Sequence, residues 1–231
     1  LNLCFETREG ILKHCSPRAA RELGEMGERF LLKRQPTLEA QIANLADEIA
    51  YNNHDIDDGL RSGLISIEQL QMLEIFATHY AQVMARHRNL ERRRAIAETI
   101  RAMINTLIID LTQTTRQNIQ QHQPQSPNDV RQCPPLAAFS APMRAQADAL
   151  KRFLLENLYR HHRVIRMTTK ARRIVRELFI AYQNEPRLLS LEYRRATPLA
   201  QARAIADYIA GMTDRFAIKE HRELFQMGSN L

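Results

Sequence analysis

The sequence has little of what strands, tight turns and cross-links require. Its 231 residues include only seven glycines and no tryptophan, while 44% are hydrophobic. Alanine, leucine, arginine, glutamate and glutamine are frequent instead, and these residues lose little conformational freedom in a helix. A chain of this length and hydrophobic content can bury a core. The composition therefore predicts an all-α globular protein.

Cysteines are few and unpaired, and long apolar runs are missing. Cys4, Cys15 and Cys133 are odd in number and form no C-x-x-C pair, which argues against a disulfide framework and a zinc ribbon. No apolar run approaches the ~18 residues needed to span a bilayer, and no charged-then-apolar leader opens the sequence. We therefore expect a cytoplasmic protein with no membrane partner. Because the sequence lacks an initiator Met and starts inside an amphipathic pattern, we also expect it to be cut from a longer one.

Positive charge is in excess and unevenly spread. The formal net charge is +7, and residues 143–223 hold 17 Lys and Arg against 9 Asp and Glu. Such an excess can attract the phosphates of nucleotides or nucleic acids. It equally suits the solvated surface of a helical protein, so the charge alone does not choose a partner.

Apolar residues recur at helical spacing along most of the chain. The predicted helices cover residues 5–15, 17–33, 37–62, 67–85, 89–121, 143–160, 163–183 and 198–224. The fifth helix carries a buried stripe at Ile96, Ile100, Met103, Leu107 and Leu111. Lys13 and His14 suit a capped helix end, where cations complement the helix dipole. Five prolines between residues 122 and 142 exclude a continuous helix there and predict a surface loop or linker.

The third helix contains the stretch "LADEIAYNNHDIDD", residues 45–58, with five acids, a tyrosine and a histidine. Its predicted core stripe is Leu38, Ile42, Leu45 and Ile49, and Thr37 is the predicted cap. On the opposite face the spacing i, i+4, i+8 places Asp47, Tyr51 and Asp55 in a row, so that all three can contact one small ligand. A solvated acidic face is the simpler interpretation. A tyrosine amid crowded like charges favours a cation or a sugar hydroxyl instead.

A basic helix follows Tyr159. It carries no acid up to residue 176, and its cations are Arg160, Arg163, Arg166, Lys170, Arg172, Arg173 and Arg176. Arg163, Arg166, Lys170 and Arg173 share one side, and clustered guanidinium groups suit phosphate oxygens. The alternative is a solvated face in which some arginines pair with acids elsewhere.

A family resemblance bears on these patterns. The run "PTLEAQIANLADEIAYNNHDIDDGLRSGLI", with "LNLCFETREGILKH" before it and "LKRFLLENLYRHHRV" after it, resembles the deoxyguanosinetriphosphate triphosphohydrolase (dNTPase) family of HD-domain phosphohydrolases. The resemblance implies a multi-helix HD-domain-like bundle that hydrolyses a deoxynucleoside triphosphate to a deoxynucleoside and triphosphate with a divalent metal, Mn²⁺ or Mg²⁺. It further implies segments at 1–121, the C-terminal part of the HD-type core, at 122–142, a Pro-rich linker, and at 143–231, a region that completes the nucleotide pocket.

The resemblance also implies roles for individual residues. It places Asp47 at the final metal-binding carboxylate, Tyr51 beside the deoxyribose and Asp55 at the sugar 3′-hydroxyl. A looser match gives Lys151 to the triphosphate and Tyr159 to the substrate pocket. The clustered cations of the basic helix, not the resemblance, make Arg163 and Arg166 candidate phosphate contacts. His54 precedes Asp55, but the family's His-Asp dyad lies well upstream, so we do not assign His54 as a metal ligand.

The family's remaining metal ligands and its general-acid histidine belong to a segment preceding anything in this sequence. We therefore expect no catalytic residue within the chain, no activity from the chain alone, and an exposed apolar face that favours oligomers. The resemblance also implies a homo-oligomer, because family members are commonly oligomers. Some members bind single-stranded nucleic acid at a regulatory site. Two alternatives stay open: a helical nucleic-acid-binding or regulatory module using residues 159–176, and a purely structural helical domain.

Overall fold

The computed structural model describes residues 2–12, 15–87 and 89–225, so Lys13 and His14 lie outside the described residues. These described residues form α-helices and short 3₁₀ and π turns, with no strand among them. The all-α prediction is confirmed. No helix within the described ranges is both long and apolar enough to cross a membrane.

The chain divides into two compact units, Leu1–Tyr159 and Arg160–Leu231. The helices of the first unit are α1 (Phe5–Ile11), α2 (Pro17–Glu22), α3 (Glu25–Leu31), α4 (Leu38–Arg61), α5 (Ile67–Leu70), α6 (Glu74–Arg86), α7 (Arg92–His122), α8 (Pro127–Gln132) and α9 (Ala141–Leu154). The helices of the second unit are α10 (His162–Asn184), α11 (Pro198–Ala210) and α12 (Asp214–Phe225).

The three segments predicted from the sequence meet at residues 121 and 142, which is not where the two compact units divide. The compact division instead follows Tyr159, because α9 packs against α4 and so belongs with the first unit. The assignment of roles to the three predicted segments stays a prediction.

Helix α4 is the central element of the first unit. Thr37 caps its start by accepting a hydrogen bond from the Ala40 amide, as predicted. Its inner face packs on α7, whose stripe at Met103, Leu107 and Leu111 is buried as predicted. The core around these helices also contains Ile56, Leu70, Phe76, Leu150 and Leu154.

The buried face of α4 differs from the predicted stripe. Ile42 is 41% exposed, whereas Gln41, Asn52 and Asn53 are buried. The reason is that α7 and α9 contact different sides of α4, so the covered sector turns away from the purely apolar positions. Each buried amide then needs a hydrogen-bond partner.

The proline-rich stretch is not a surface loop. It contains α8, and its residues Val130, Leu136, Ala137 and Phe139 are buried. Gln41 Oε1 accepts hydrogen bonds from the amides of Leu136 and Ala137 at 2.9 and 3.2 Å. The buried glutamine thus fixes the path of the chain into α9.

Three predicted helices are interrupted. Residues 17–33 break at Gly24, whose φ of +56° suits glycine, so α2 turns into α3. Residues 67–85 break between α5 and α6. Residues 198–224 break at Gly211–Thr213, which separates α11 from α12. These breaks let short amphipathic segments fold back onto their neighbours.

A buried carboxylate links the first helices to α8. Glu9 is 2% exposed and lies between two arginines: Arg131 Nη2 donates to its Oε2 at 3.1 Å, and Arg29 Nε lies 3.6 Å from its Oε1. Arg29 also donates to the backbone oxygens of Glu9 and Leu12. Residues far apart in sequence are therefore held by one ion triad.

The second unit has its own small core of Ile174, Leu178, Tyr182, Leu189 and Ile205. Polar contacts tie α12 to α10. Tyr182 donates to Glu220 Oε1 at 2.9 Å, and His221 Nε2 lies 2.5 Å from Glu177 Oε2. Each unit thus has its own apolar centre.

Candidate functional site

The predicted row of side chains lies on one uninterrupted helix. Asp47, Tyr51 and Asp55 occupy successive turns of α4. Asp47 is exposed, Tyr51 is half-exposed and Asp55 is half-buried. Solvent exposure on this face of α4 therefore decreases from Asp47 to Asp55, so a ligand can reach the face from its Asp47 end.

Tyr159 joins this row from the end of α9. The last turn after α9, Leu155–Tyr159, is a π-helix. Its wider turn places the Tyr159 ring beside Tyr51, with centroids 6.2 Å apart and planes 23° apart. The Tyr159 hydroxyl donates a hydrogen bond to Asp55 Oδ2. Three of the four predicted substrate-binding residues thus form a chain of contacts, in which Tyr51 contacts Tyr159 and Tyr159 contacts Asp55.

The fourth predicted substrate residue, Lys151, lines a cavity together with Tyr51 and Tyr159. The cavity has a volume of about 600 Å³. Its lining consists of Tyr51, Asn52, Asp148, Lys151, Arg152, Leu155 and Tyr159. Two aromatic faces and two cations meet there, which suits a ligand with a flat or sugar-like part and an anionic part.

A charge network connects the two helices behind the cavity. Glu48 Oε1 accepts a hydrogen bond from Arg144 Nη1 at 3.0 Å, and Glu48 Oε2 lies 3.7 Å from Lys151 Nζ. Arg144 also lies 3.4 Å from Asp148 Oδ1. The cations of α9 are therefore partly balanced by acids in the absence of a ligand.

Titration behaviour differs along the row. Burial raises the pKa of the Asp55 carboxyl above its ordinary value, and Asp58 adds to this, while His54 opposes it. Partial burial and then the Asp55 carboxylate raise the pKa of the Tyr51 phenol, against an opposing effect of Lys151. Tyr51 thus stays a protonated hydrogen-bond donor at neutral pH. The same burial disfavours the Asp55 carboxylate in its charged form.

Sequence reasoning missed four residues of the cavity: Asn52, Asp148, Arg152 and Leu155. Asn52 is 4% exposed, and its Oδ1 has no hydrogen-bond partner within the described part of the chain. Two adjacent asparagines in mid-helix were a usable signal, because asparagine competes with helical backbone bonding and is rarely placed there without a polar role. The others carry no signal beyond their spacing on α9.

Arg163 and Arg166 lie on α10 in the second unit, with exposed side chains. They follow the first unit closely in sequence, and their assignment to phosphate stays a prediction. His54 is exposed and lines an apolar groove of about 570 Å³ between α4 and α7, together with Ile42 and Ile108.

The fit of a divalent metal depends on donors besides Asp47. Among residues 2–12, 15–87 and 89–225, no group of three or more His, Cys, Asp or Glu side chains is arranged to hold a metal ion. A catalytic divalent site needs about three protein ligands to fix its coordination. The described residues alone do not supply that set, and the metal role of Asp47 stays a prediction.

Comparison with known proteins bears on these assignments. Residues 137–223 match the phosphohydrolase-associated domain. Proteins named deoxyguanosinetriphosphate triphosphohydrolase-like are similar over almost the whole chain. The Bordetella pertussis protein is 68% identical over 228 residues, which are 99% of this chain and 59% of the relative. The Thiobacillus denitrificans protein is 56% identical over 225 residues, 97% of this chain and 60% of the relative.

The Nitrosomonas europaea protein is 53% identical over 230 residues, which are 100% of this chain and 62% of the relative. The chain thus spans about 60% of the length of the curated relatives that it matches, which fits the expected resemblance to a C-terminal part. With 53–68% identity to these relatives, the chain is similar over almost its whole length to proteins named deoxyguanosinetriphosphate triphosphohydrolase-like.

Proposed function

We propose that the protein to which this chain belongs is a metal-dependent deoxynucleoside triphosphate triphosphohydrolase, and that the cavity between α4 and α9 receives the deoxynucleotide. The observation that carries the proposal is the chain of contacts from Tyr51 to Tyr159 to Asp55, next to the cavity that Tyr51, Tyr159 and Lys151 line. The names of the relatives support the reaction class.

Each predicted substrate residue has a chemical part in this proposal. Asp55 accepts a hydrogen bond from the sugar 3′-hydroxyl, for which its ionised carboxylate has spare lone pairs beyond the one used by Tyr159. The Tyr51 ring lies beside the sugar, and Tyr159 lines the substrate pocket next to it. Lys151 faces the triphosphate as a compact cation with three donors. Arg163 and Arg166 are the further phosphate-binding residues in this proposal.

Asp47 contributes one carboxylate to a divalent metal, Mn²⁺ or Mg²⁺, in this proposal. Hard divalent cations favour such oxygen ligands. When bound, the metal supplies electrophilic activation of the triphosphate, and no residue of this chain acts as the general acid. Because the described residues offer no complete ligand set, we expect the 231-residue chain to be inactive alone.

The proposal extends to compartment and partners. We propose a cytoplasmic location, which rests on the odd number of cysteines and their lack of a C-x-x-C pair. We propose a homo-oligomer, for which exposed apolar side chains such as Ile42 and Ile108 offer contact area. Single-stranded nucleic acid at a regulatory site is a further proposed partner.

The test is hydrolysis of the four deoxynucleoside triphosphates with Mn²⁺ by the chain extended to the full length of its relatives. We expect triphosphate release that disappears in Asp47→Ala and persists in Asp57→Asn, a variant that removes a charge from the same helix at an exposed ion pair. No release by a folded, metal-loaded extended chain would instead favour the nucleic-acid-binding or regulatory module.

A further inference from the structure

Glu48 is next in sequence to Asp47, the candidate metal ligand, and contacts Lys151, the candidate phosphate-binding residue. It follows Asp47 on α4, and its side chain is only 21% exposed. One carboxylate oxygen accepts a hydrogen bond from Arg144 at 3.0 Å, while the other lies 3.7 Å from the Lys151 ammonium. The carboxylate thus reaches across from α4 to α9 and contacts two cations there.

The two cations are held very differently. Arg144 also contacts Asp148, and its guanidinium lies over the Phe139 ring at 5.0 Å, so it has three partners besides solvent. Lys151 is 60% exposed and lines the cavity. A solvent-exposed ammonium–carboxylate contact at this distance is worth little and exchanges readily. Arg144 therefore anchors Glu48, and Lys151 is the cation that an incoming ligand can take.

We infer that Glu48 is a positioning residue that acts through Lys151, as an internal anion that the polyphosphate of a ligand must displace. This inference rests on the proposed phosphate role of Lys151. Glu48 holds the ammonium at the cavity when no ligand is present. A triphosphate, with several charges, outcompetes the single carboxylate for the same ammonium.

The short distance between Lys151 and the Glu48 carboxylate predicts that Glu48 weakens the binding of a phosphate at Lys151. Any phosphate oxygen that contacts Lys151 comes within several ångströms of the Glu48 carboxylate, so the two anions repel each other. Glu48→Gln removes this repulsion and keeps an oxygen that accepts the hydrogen bond from Arg144. We expect the variant to bind inorganic triphosphate about three- to tenfold more tightly at low salt, with the gain reduced by added salt.

The experiment is titration calorimetry of the 231-residue chain with inorganic triphosphate in metal-free buffer, which keeps metal binding at Asp47 out of the measurement. Glu48→Gln, Lys151→Gln and the double variant complete a mutant cycle. In the Lys151→Gln background, Glu48→Gln is expected to have little effect. Asp57→Asn is the matched control, because it removes a carboxylate paired with Arg61 on the same helix.

The outcomes separate this inference from the proposed function. Triphosphate binding that needs Lys151 but is unchanged or weakened in Glu48→Gln overturns the role of Glu48 and leaves the phosphate role of Lys151 intact. An equal gain in Asp57→Asn, or a gain that persists without Lys151, shows a general charge effect and also overturns it. If neither the chain nor Glu48→Gln binds triphosphate, both the exchange and the phosphate role of Lys151 are overturned.

Discussion

Asp55 shares its carboxylate with the Tyr159 hydroxyl, which lies 104 residues later in the chain. Helical spacing alone predicted that Asp47, Tyr51 and Asp55 share a face, because all three are on one helix. The partner across the cavity was accessible only through the family match, since no local rule links residues so distant. Asn52 was missed because the apolar stripe was drawn through Ile42, a position that α7 and α9 leave exposed.

The raised pKa of Asp55 has a consequence for stability. A carboxyl whose folded-state pKa lies above its ordinary value of 3.8 is disfavoured as an anion in the folded protein. This penalty is complete above the folded-state pKa and vanishes as the pH falls below the unfolded-state pKa. Asp55→Asn removes the charge and keeps an oxygen for the Tyr159 hydroxyl.

We therefore expect Asp55→Asn to be at least as stable as the parent chain at pH 7, with any advantage gone at pH 3. Urea denaturation at both pH values measures this, and Asp57→Asn serves as the exposed control. The same substitution is expected to abolish hydrolysis by the extended chain. A large loss of stability at pH 7 would show that the ionised carboxylate is structurally required.

At the scale of elements, the predicted helices were mostly present, and their breaks were not foreseen. The stripe of α7 survived because a 31-residue helix repeats its pattern many times. The break at Gly24 was missed because one glycine in a helical pattern is compatible with either a helix or a turn. The break after α11 depends on packing within the second unit, which no local pattern records.

Helices α2 and α3 approach each other closely at a second glycine. A Cβ atom built on Gly27 would lie 1.8 Å from the Ala20 carbonyl oxygen, which is backbone and cannot rotate away. At Gly10 of α1, by contrast, a Cβ would meet the Ala40 Cβ at 3.5 Å, an ordinary contact. The two helical glycines therefore predict opposite responses to the same substitution.

Gly27→Ala is expected to destabilise the first unit by about 1–3 kcal/mol or more, since overpacking forces the backbone apart. Gly10→Ala is expected to be neutral or to stabilise by up to ~1 kcal/mol, because alanine is the better helix former. Urea denaturation followed by circular dichroism compares them. Equal effects at the two sites would contradict the close approach of α2 and α3.

At the scale of the whole molecule, each compact unit combines an apolar core with polar contacts between residues far apart in the sequence. In the first unit, the triad of Glu9, Arg29 and Arg131 joins α1 and α3 to α8, which is far from them in the sequence. Burial lowers the pKa of the Arg29 guanidinium, and Glu9 opposes this by favouring its charged form. Sequence reasoning could not find the triad, because its members are unremarkable charged residues until α1, α3 and α8 are assembled.

Glu9→Gln leaves two arginines without their buried counter-charge. Breaking a buried ion pair by removing one partner costs roughly 3–5 kcal/mol, and we expect a loss of that order in the free energy of unfolding. Glu6→Gln is the control, because Glu6 is 50% exposed and lies 4.0 Å from Arg131. A change below about 1 kcal/mol in Glu9→Gln, measured by urea denaturation, would refute the triad's role.

The π turn at Leu155–Tyr159 decides where along α9 a change in chain length can be tolerated by the site. A π turn holds about one residue more than an α turn. Losing a single residue between Leu154 and Leu158 would let α9 continue as an α-helix. Because the π turn accommodates that extra residue, Tyr159 would then keep roughly the same face of the helix toward Asp55. A one-codon deletion in the regular part of α9 would instead turn Tyr159 by roughly 100° about the helix axis, and the Tyr159–Asp55 contact would be lost even where every site residue is retained.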